Sequence, residues 1–240
     1  MSTSVAPKEK SISVINPVAE VIIVKFPDEN LEKLIRDTLA QPTGNILKSD
    51  VAKITKLENA EGRNISNLSG IENLTNLVLL NLSNNHINSI DSLKSLTSLT
   101  DLNLDHNDLN DIEPLKSLSG LTKLSLADTS LSSLDPLLSL TNLTNLNLNS
   151  NQINNIGPLK SLSNLISLGL SGNDISSIDA LVGLTNLTKL DLDTNHISNI
   201  EPLKSLTGLN DLYLINNQIK ITDIEALQNA LPKCAIDTNL

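Results

Sequence analysis

Aromatic side chains are almost missing: the 240-residue sequence holds no tryptophan, one tyrosine and one phenylalanine. Large aromatics normally supply much of a globular core, so burial here must rest on leucine and isoleucine. A single cysteine, Cys234, rules out an intramolecular disulfide and says nothing firm about compartment. Positive charge is short too, with 17 Lys and Arg against 27 Asp and Glu and a net charge of −10. A phosphate-binding surface needs clustered cations, which argues against nucleic acid as a partner. The same balance suits a soluble protein or a basic partner. No apolar run reaches the roughly 18 residues of a membrane span. The stretch Val18 to Val24 is too short and is interrupted by Glu20. The opening MSTSVAPKEK lacks a charged region followed by an apolar one, so no secretory signal is visible. As written, the chain is expected in the cytoplasm; if the native gene is longer, it is expected to be secreted or at the cell surface.

What is abundant is leucine at a fixed interval. Leu77, Leu99, Leu121, Leu143, Leu165, Leu187 and Leu209 are each 22 residues apart. The pattern around them recurs as well: Leu99, Leu102, Leu104, Asn107, Leu109, Ile112, Leu115, Leu118 returns as Leu187, Leu190, Leu192, Asn195, Ile197, Ile200, Leu203, Leu206. RNISNLSGIENL, Arg63 to Leu74, is the second half of a degenerate earlier unit. Leu102 and Leu104 alternate with Asp101, Asn103 and Asp105, the period of a short half-exposed strand. The spacing then lengthens to three, as a turn and a tight helical segment require. In EPL and DPL (Glu113, Asp135, Glu201) the acid is expected at a helix cap and the proline at the first helical position. One such unit buries too few aliphatics to offset the ordering of its own backbone. Stacked units bury both sides and pair their strands in parallel, so the chain is expected to be a solenoid. A recurring asparagine (Asn85, Asn107, Asn151, Asn173, Asn195, Asn217) follows each strand. Its side chain can satisfy backbone groups at the inward turn and form a structural ladder. Thr129 stands in one unit as a weaker substitute.

The pattern LxxLxLxxNxIxxIxxLxxL resembles the leucine-rich repeat, in the 22-residue form of bacterial internalin-like proteins, over roughly residues 57 to 230. The resemblance implies an α/β leucine-rich repeat solenoid, with a curved parallel sheet on the concave face and short helical turns or loops on the convex one. Helical caps are expected at both ends. FPDENLEKLIRDTL (Phe26 to Leu39), with Leu31, Leu34 and Ile35 on one face, resembles the N-terminal cap. TDIEALQNALPKC carries a capping box, Thr222 with Glu225, before a helix stopped by Pro232. The expected divisions are an N-terminal tail (1–24), an N-terminal cap (25–62), the repeats (63–221) and a C-terminal cap (222–240). Such proteins usually continue into an immunoglobulin-like domain and a wall anchor. This chain ends at Leu240, and LPKCA is not a sorting signal.

The stretch DLNLDHNDLND gathers acids without gathering a site. Asp101 and Asp105 would lie about 13 Å apart along a strand rising about 3.3 Å per residue. The residues stacked beside them, Leu79 and Lys123 or Ser83 and Ala127, offer no ligand set. His86, His106 and His196 fall in turns, with no nucleophile beside them. No metal, cofactor or catalytic group is expected. The sequons at Asn64, Asn67, Asn73, Asn81, Asn142 and Asn186 are largely by-products of the repeat. The lysines Lys94, Lys116, Lys160 and Lys204 form a convex stripe that alternates with acids.

A partner would meet the concave strand side chains. Their centre is small and neutral, but the C-terminal end collects Lys189, Asp191, Asp193, Asp211, Tyr213 and Ile215, an aromatic among charges. The expected function is a non-catalytic, monomeric protein-binding module. The alternatives are a structural or capping domain of a larger assembly, or an intracellular regulator similar to the 22-residue-repeat regulators of phosphatases.

Overall fold

The computed structural model describes residues 21–239, so most of the N-terminal tail expected over 1–24 lies outside the described residues. Among the described residues nine short strands form one parallel sheet in chain order. They are β1 Lys56–Leu57, β2 Leu79–Asn81, β3 Asp101–Asn103, β4 Lys123–Ser125, β5 Asn145–Asn147, β6 Ser167–Gly169, β7 Lys189–Asp191, β8 Asp211–Tyr213 and β9 Ala235–Asp237. The register never slips. Leu80 lies beside Leu102, Leu102 beside Leu124, and so on through Leu146, Leu168 and Leu190 to Leu212.

Burial follows the alternation. Each of those leucines is buried, while its neighbours such as Asp101 and Asn103 stay partly exposed on the open face. A second row behind them, Leu82, Leu104, Leu126, Leu148, Leu170 and Leu192, is fully buried. The buried leucines and isoleucines of the repeats make one continuous core, to which Phe26 is the only aromatic contributor among the described residues. The chain is thus an open α/β leucine-rich solenoid, as its period requires.

The convex side is built of 3-10 turns, which suits runs of only three to five residues. Those with proline, Glu113–Ser117, Asp135–Ser139, Gly157–Ser161 and Glu201–Ser205, run five residues; Asp91–Leu93 and Asp179–Leu181, without it, run three. Here the sequence expectation needs correction. Ile112, Leu134 and Ile200 occupy the cap, and the acid is the first residue of the turn. The capping oxygen comes from two positions before the turn's first residue: Asp111 accepts Glu113 N–H at 2.9 Å, and Asn199 accepts Glu201 N–H at 3.1 Å.

At the N-terminal end, α1 (Glu29–Leu39) buries Leu31, Leu34 and Ile35 and stops at Ala40, which is left-handed at φ 53. Asp28 caps it, accepting Asn30 and Leu31 N–H at 3.0 Å each. A short α2 (Lys48–Val51) follows, and β1 starts the sheet inside the span expected to be cap alone. At the other end α3 (Ile221–Ala230) begins after Lys220, whose backbone is extended, and no side chain caps it. Thr222 therefore lies inside the helix, and the expected capping box does not form. Beyond α3 the chain re-enters the sheet as β9.

Candidate functional site

Parallel pairing in register turns the open face into columns. One runs Leu79, Asp101, Lys123, Asn145, Ser167, Lys189, Asp211; the next runs Asn81, Asn103, Ser125, Asn147, Gly169, Asp191, Tyr213 and ends on Asp237. Together they line a concave trough of about 500 Å³ that reaches from Leu79 to Asp191. Much of its floor is engaged with itself. Lys123 pairs with Asp101 at 3.2 Å, Ser125 donates to Asp105 at 2.6 Å, and Asn147 donates to the Ser125 hydroxyl at 3.0 Å. Gly169 keeps the centre low. A Cβ there would sit 2.7 Å from the Asn149 side-chain oxygen and 3.0 Å from that of Asn147.

A third column, Ser83, Asp105, Ala127, Asn149, Ser171, Asp193 and Ile215, carries a device with a period of two repeats. Asp105 accepts the N–H of Ala127 at 2.6 Å, Asn149 that of Ser171 at 2.8 Å and Asp193 that of Ile215 at 2.6 Å. Asp105, in the middle of DLNLDHNDLND, therefore holds the scaffold rather than a ligand. Sequence reasoning missed this because the device repeats every 44 residues and alternates Asp with Asn.

At the C-terminal end the six residues singled out from the sequence come together on β7, β8 and the turns after them. Tyr213 is half-buried between Asp191 on one side and Asp237 on the other. The Lys189 ammonium stands 5.6 Å from the centre of its ring, within reach of a cation–π contact. Burial pushes the Asp193 carboxyl above its ordinary range; the Ile215 N–H works against this, and the charges of Asp191 and Asp237 add to it. Asp193 thus belongs partly to the scaffold. Asp237, which β9 delivers beside Tyr213, is an acid the sequence did not suggest, because no repeat period reaches it.

The asparagines after the strands are buried or, for Asn217, half-buried, and their amides are fully used. Asn151 donates to the carbonyls of Leu126, Leu148 and Asn149 and accepts from the N–H groups of Thr129 and Leu131. Asn85, Asn107, Asn173, Asn195 and Asn217 repeat this arrangement, each donating to one carbonyl 25 residues earlier. A second ladder lies on the flank before the strands. Asn76, Asn142, Asn164 and Asn186 donate to the carbonyls of Ala52, Ser119, Thr141 and Ser163 at 2.8–2.9 Å. Two of the sequon asparagines, Asn142 and Asn186, are thereby explained by stacking.

The histidines remain exposed in their turns. His106 lies 2.9 Å from Asp128 and His196 3.6 Å from Asp174, pairings between neighbouring repeats that a linear reading does not bring together. Cys234 is buried against the core, and burial, with Asp211 nearby, pushes its thiol up. Among the described residues no three metal-ligating side chains gather, and no helix is long and apolar enough to cross a membrane.

The family described as leucine rich repeats (two copies) matches three times, at residues 75–117, 119–161 and 163–205. Among solved structures, an internalin C2 from Listeria monocytogenes strain 4b F2365 is 32% identical; the match covers 89% of this chain and 94% of that one, with a TM-score of 0.84. An internalin from the same strain, inlF, is 27% identical over 88% of each chain with a TM-score of 0.47. A leucine-rich repeat protein of Leptospira interrogans is 26% identical over 70% of this chain and 50% of its own, with a TM-score of 0.60. Comparison with curated protein sequences gives no match.

Proposed function

This chain belongs to the internalin-like leucine-rich repeat proteins, and from that premise we propose that it is a non-catalytic module, acting as a monomer, that binds another protein on its concave face. Proteins of this family are typically binding modules without enzymatic activity. The observation that carries the reading is Tyr213, the only large aromatic on the open face, set among Asp191, Asp211 and Asp237. The trough nearer the centre offers mostly Asn, Ser and Gly, which bury little area. Tyrosine is a preferred anchor of interfaces, and the surrounding acids favour a basic partner with salt-sensitive association. Lys189, Asp191, Asp211, Tyr213 and Ile215 are the proposed contact set, with Asp193 holding the strand beneath them and Asp237 added at the edge.

The experiment is affinity capture followed by direct titration of the captured protein against three chains: parent, Tyr213→Ala and Asn147→Ala. Tyr213→Ala is expected to weaken binding by at least about 2 kcal/mol, and Asn147→Ala to change it little. Equal affinity of the Tyr213→Ala chain and the parent would show the patch to be ordinary solvated surface.

A further inference from the structure

The regular bonding of the stack is lost without replacement at one junction, between the β3 and β4 repeats. In an ordinary unit the N–H after the ladder residue donates to a carbonyl of the preceding repeat: His86 to Ile65 at 2.9 Å, Gln152 to Leu131 at 2.8 Å, and Asp174 to Ile153, His196 to Ile175 and Gln218 to Ile197 at 2.9 Å each. Ser130 occupies the same position at the β3–β4 junction and makes no such bond to Leu109 among the described residues; at the β2–β3 junction Asp108 also lacks it, but there Asn110 donates to Asn88 at 3.0 Å in its place. The ladder fails at the same place. Ile87, Ile153, Ile175 and Ile197 each donate their N–H to the carboxamide one repeat on. Leu109 would need that oxygen from residue 129, which is threonine, and its N–H finds no partner among the described residues. Thr129 spends its hydroxyl on Leu126 and Asn151.

Packing and backbone agree. Leu109 and Leu131 are each 7% exposed, where Ile87, Ile153, Ile175 and Ile197 are fully buried. Ser130 is left-handed at φ 59, two residues after Asp128 at φ 53. A groove of about 210 Å³ opens between Leu109, Leu131 and Pro136. A repeat stack holds together through nearest-neighbour interfaces, so an interface short of backbone bonds is where it opens first.

We propose that the junction between the β3 and β4 repeats, around Leu109 and Thr129–Leu131, is a built-in hinge at which the solenoid opens locally and its two parts flex against each other. The cause is the missing carboxamide at residue 129. The proposal does not depend on the identity or existence of a partner.

Hydrogen-exchange mass spectrometry on the full chain tests it, read at amides that are bonded in the structure. His106 and Ala127, whose N–H groups cross this junction to the Ala127 carbonyl and the Asp105 carboxylate, are expected to exchange at least about tenfold faster than their counterparts Ser150, Gly172 and Ser171, reflecting local opening. Thr129→Asn should slow the junction towards those counterparts. Asn173→Thr should carry the fast exchange to Ile153 and Asp174. Uniform protection along the repeats overturns the hinge. So does fast exchange at the junction that Thr129→Asn leaves unchanged, because the gap would then not be its cause. Should Asn173→Thr fail to fold, the Thr129→Asn arm decides alone.

Discussion

A buried carboxamide can do what no other small side chain does, giving two protons and receiving on one oxygen at the turn where a strand's backbone loses its partners. Asn151 is the most heavily used, because its oxygen also takes the hydroxyl of Thr129 at 3.2 Å. Asn151→Ala would orphan the Thr129 and Leu131 N–H groups and take one donor from each of three carbonyls, and is expected to cost roughly 1–3 kcal/mol. A shift of the urea midpoint measures it; no shift would refute the ladder. This row was legible in the sequence because one residue type returned at one interval. The acceptors Asp105, Asn149 and Asp193 were not. They alternate Asp with Asn at twice that interval, and from the sequence alone Asp105 and Asn149 have no role and Asp193 is only part of a contact patch. Only the bonds to Ala127, Ser171 and Ile215 reveal what they do.

Among the elements, α1 is clamped to the repeats by the Asp28 carboxylate, beside contacts of Asn30 with the Asn64 carbonyl at 3.1 Å and of Asp37 with Arg63 at 4.0 Å. One oxygen of Asp28 caps the helix, and the other accepts Ser66 N–H at 2.9 Å, Asn67 N–H at 3.1 Å and the Ser66 hydroxyl at 3.2 Å. Burial tends to raise its pKa, but these hydrogen bonds prevail and hold it below the ordinary 3.8. A carboxyl depressed on folding stabilises the folded state above its unfolded value and loses that contribution as pH falls through the folded one. Stability should therefore decline below about pH 4 more steeply in the parent than in Asp28→Asn, as thermal melts across that range would register; parallel curves would exclude the clamp. The same seam depends on Gly70, left-handed at φ 102, where a Cβ would come 2.5 Å from the Lys25 carbonyl and 2.7 Å from the Phe26 ring. Gly70→Ala is expected to cost about 1–3 kcal/mol, measured by denaturant titration, and an unchanged midpoint would mean the seam yields. The helix itself was readable from the spacing of Leu31, Leu34 and Ile35. Its clamp was not, because Asp28 lies outside the repeats and 38 residues before Ser66.

In the whole molecule, stability is a sum over stacked interfaces rather than the property of one centre. The 22-residue period made this architecture legible: a leucine returning at that interval can be buried only if each unit lies on the next. The sheet's two ends were not legible. β1 contributes two residues and β9 three, in segments whose local patterns follow no repeat. Only pairing with β2 and β8 makes strands of them. Position in the stack should then set the consequence of a lost side chain. Leu146, almost fully buried in the middle, packs between repeats on both sides. Ile236, half-buried at the C-terminal edge, pairs with Leu212 alone. Leu146→Ala is expected to cost about 2–5 kcal/mol. Ile236→Ala should cost less than half as much, because it leaves a smaller cavity and disturbs one interface instead of two. Urea denaturation of the two variants beside the parent measures the difference. Equal losses would mean that the chain unfolds around a single centre, and the nearest-neighbour account of its stability would have to be abandoned.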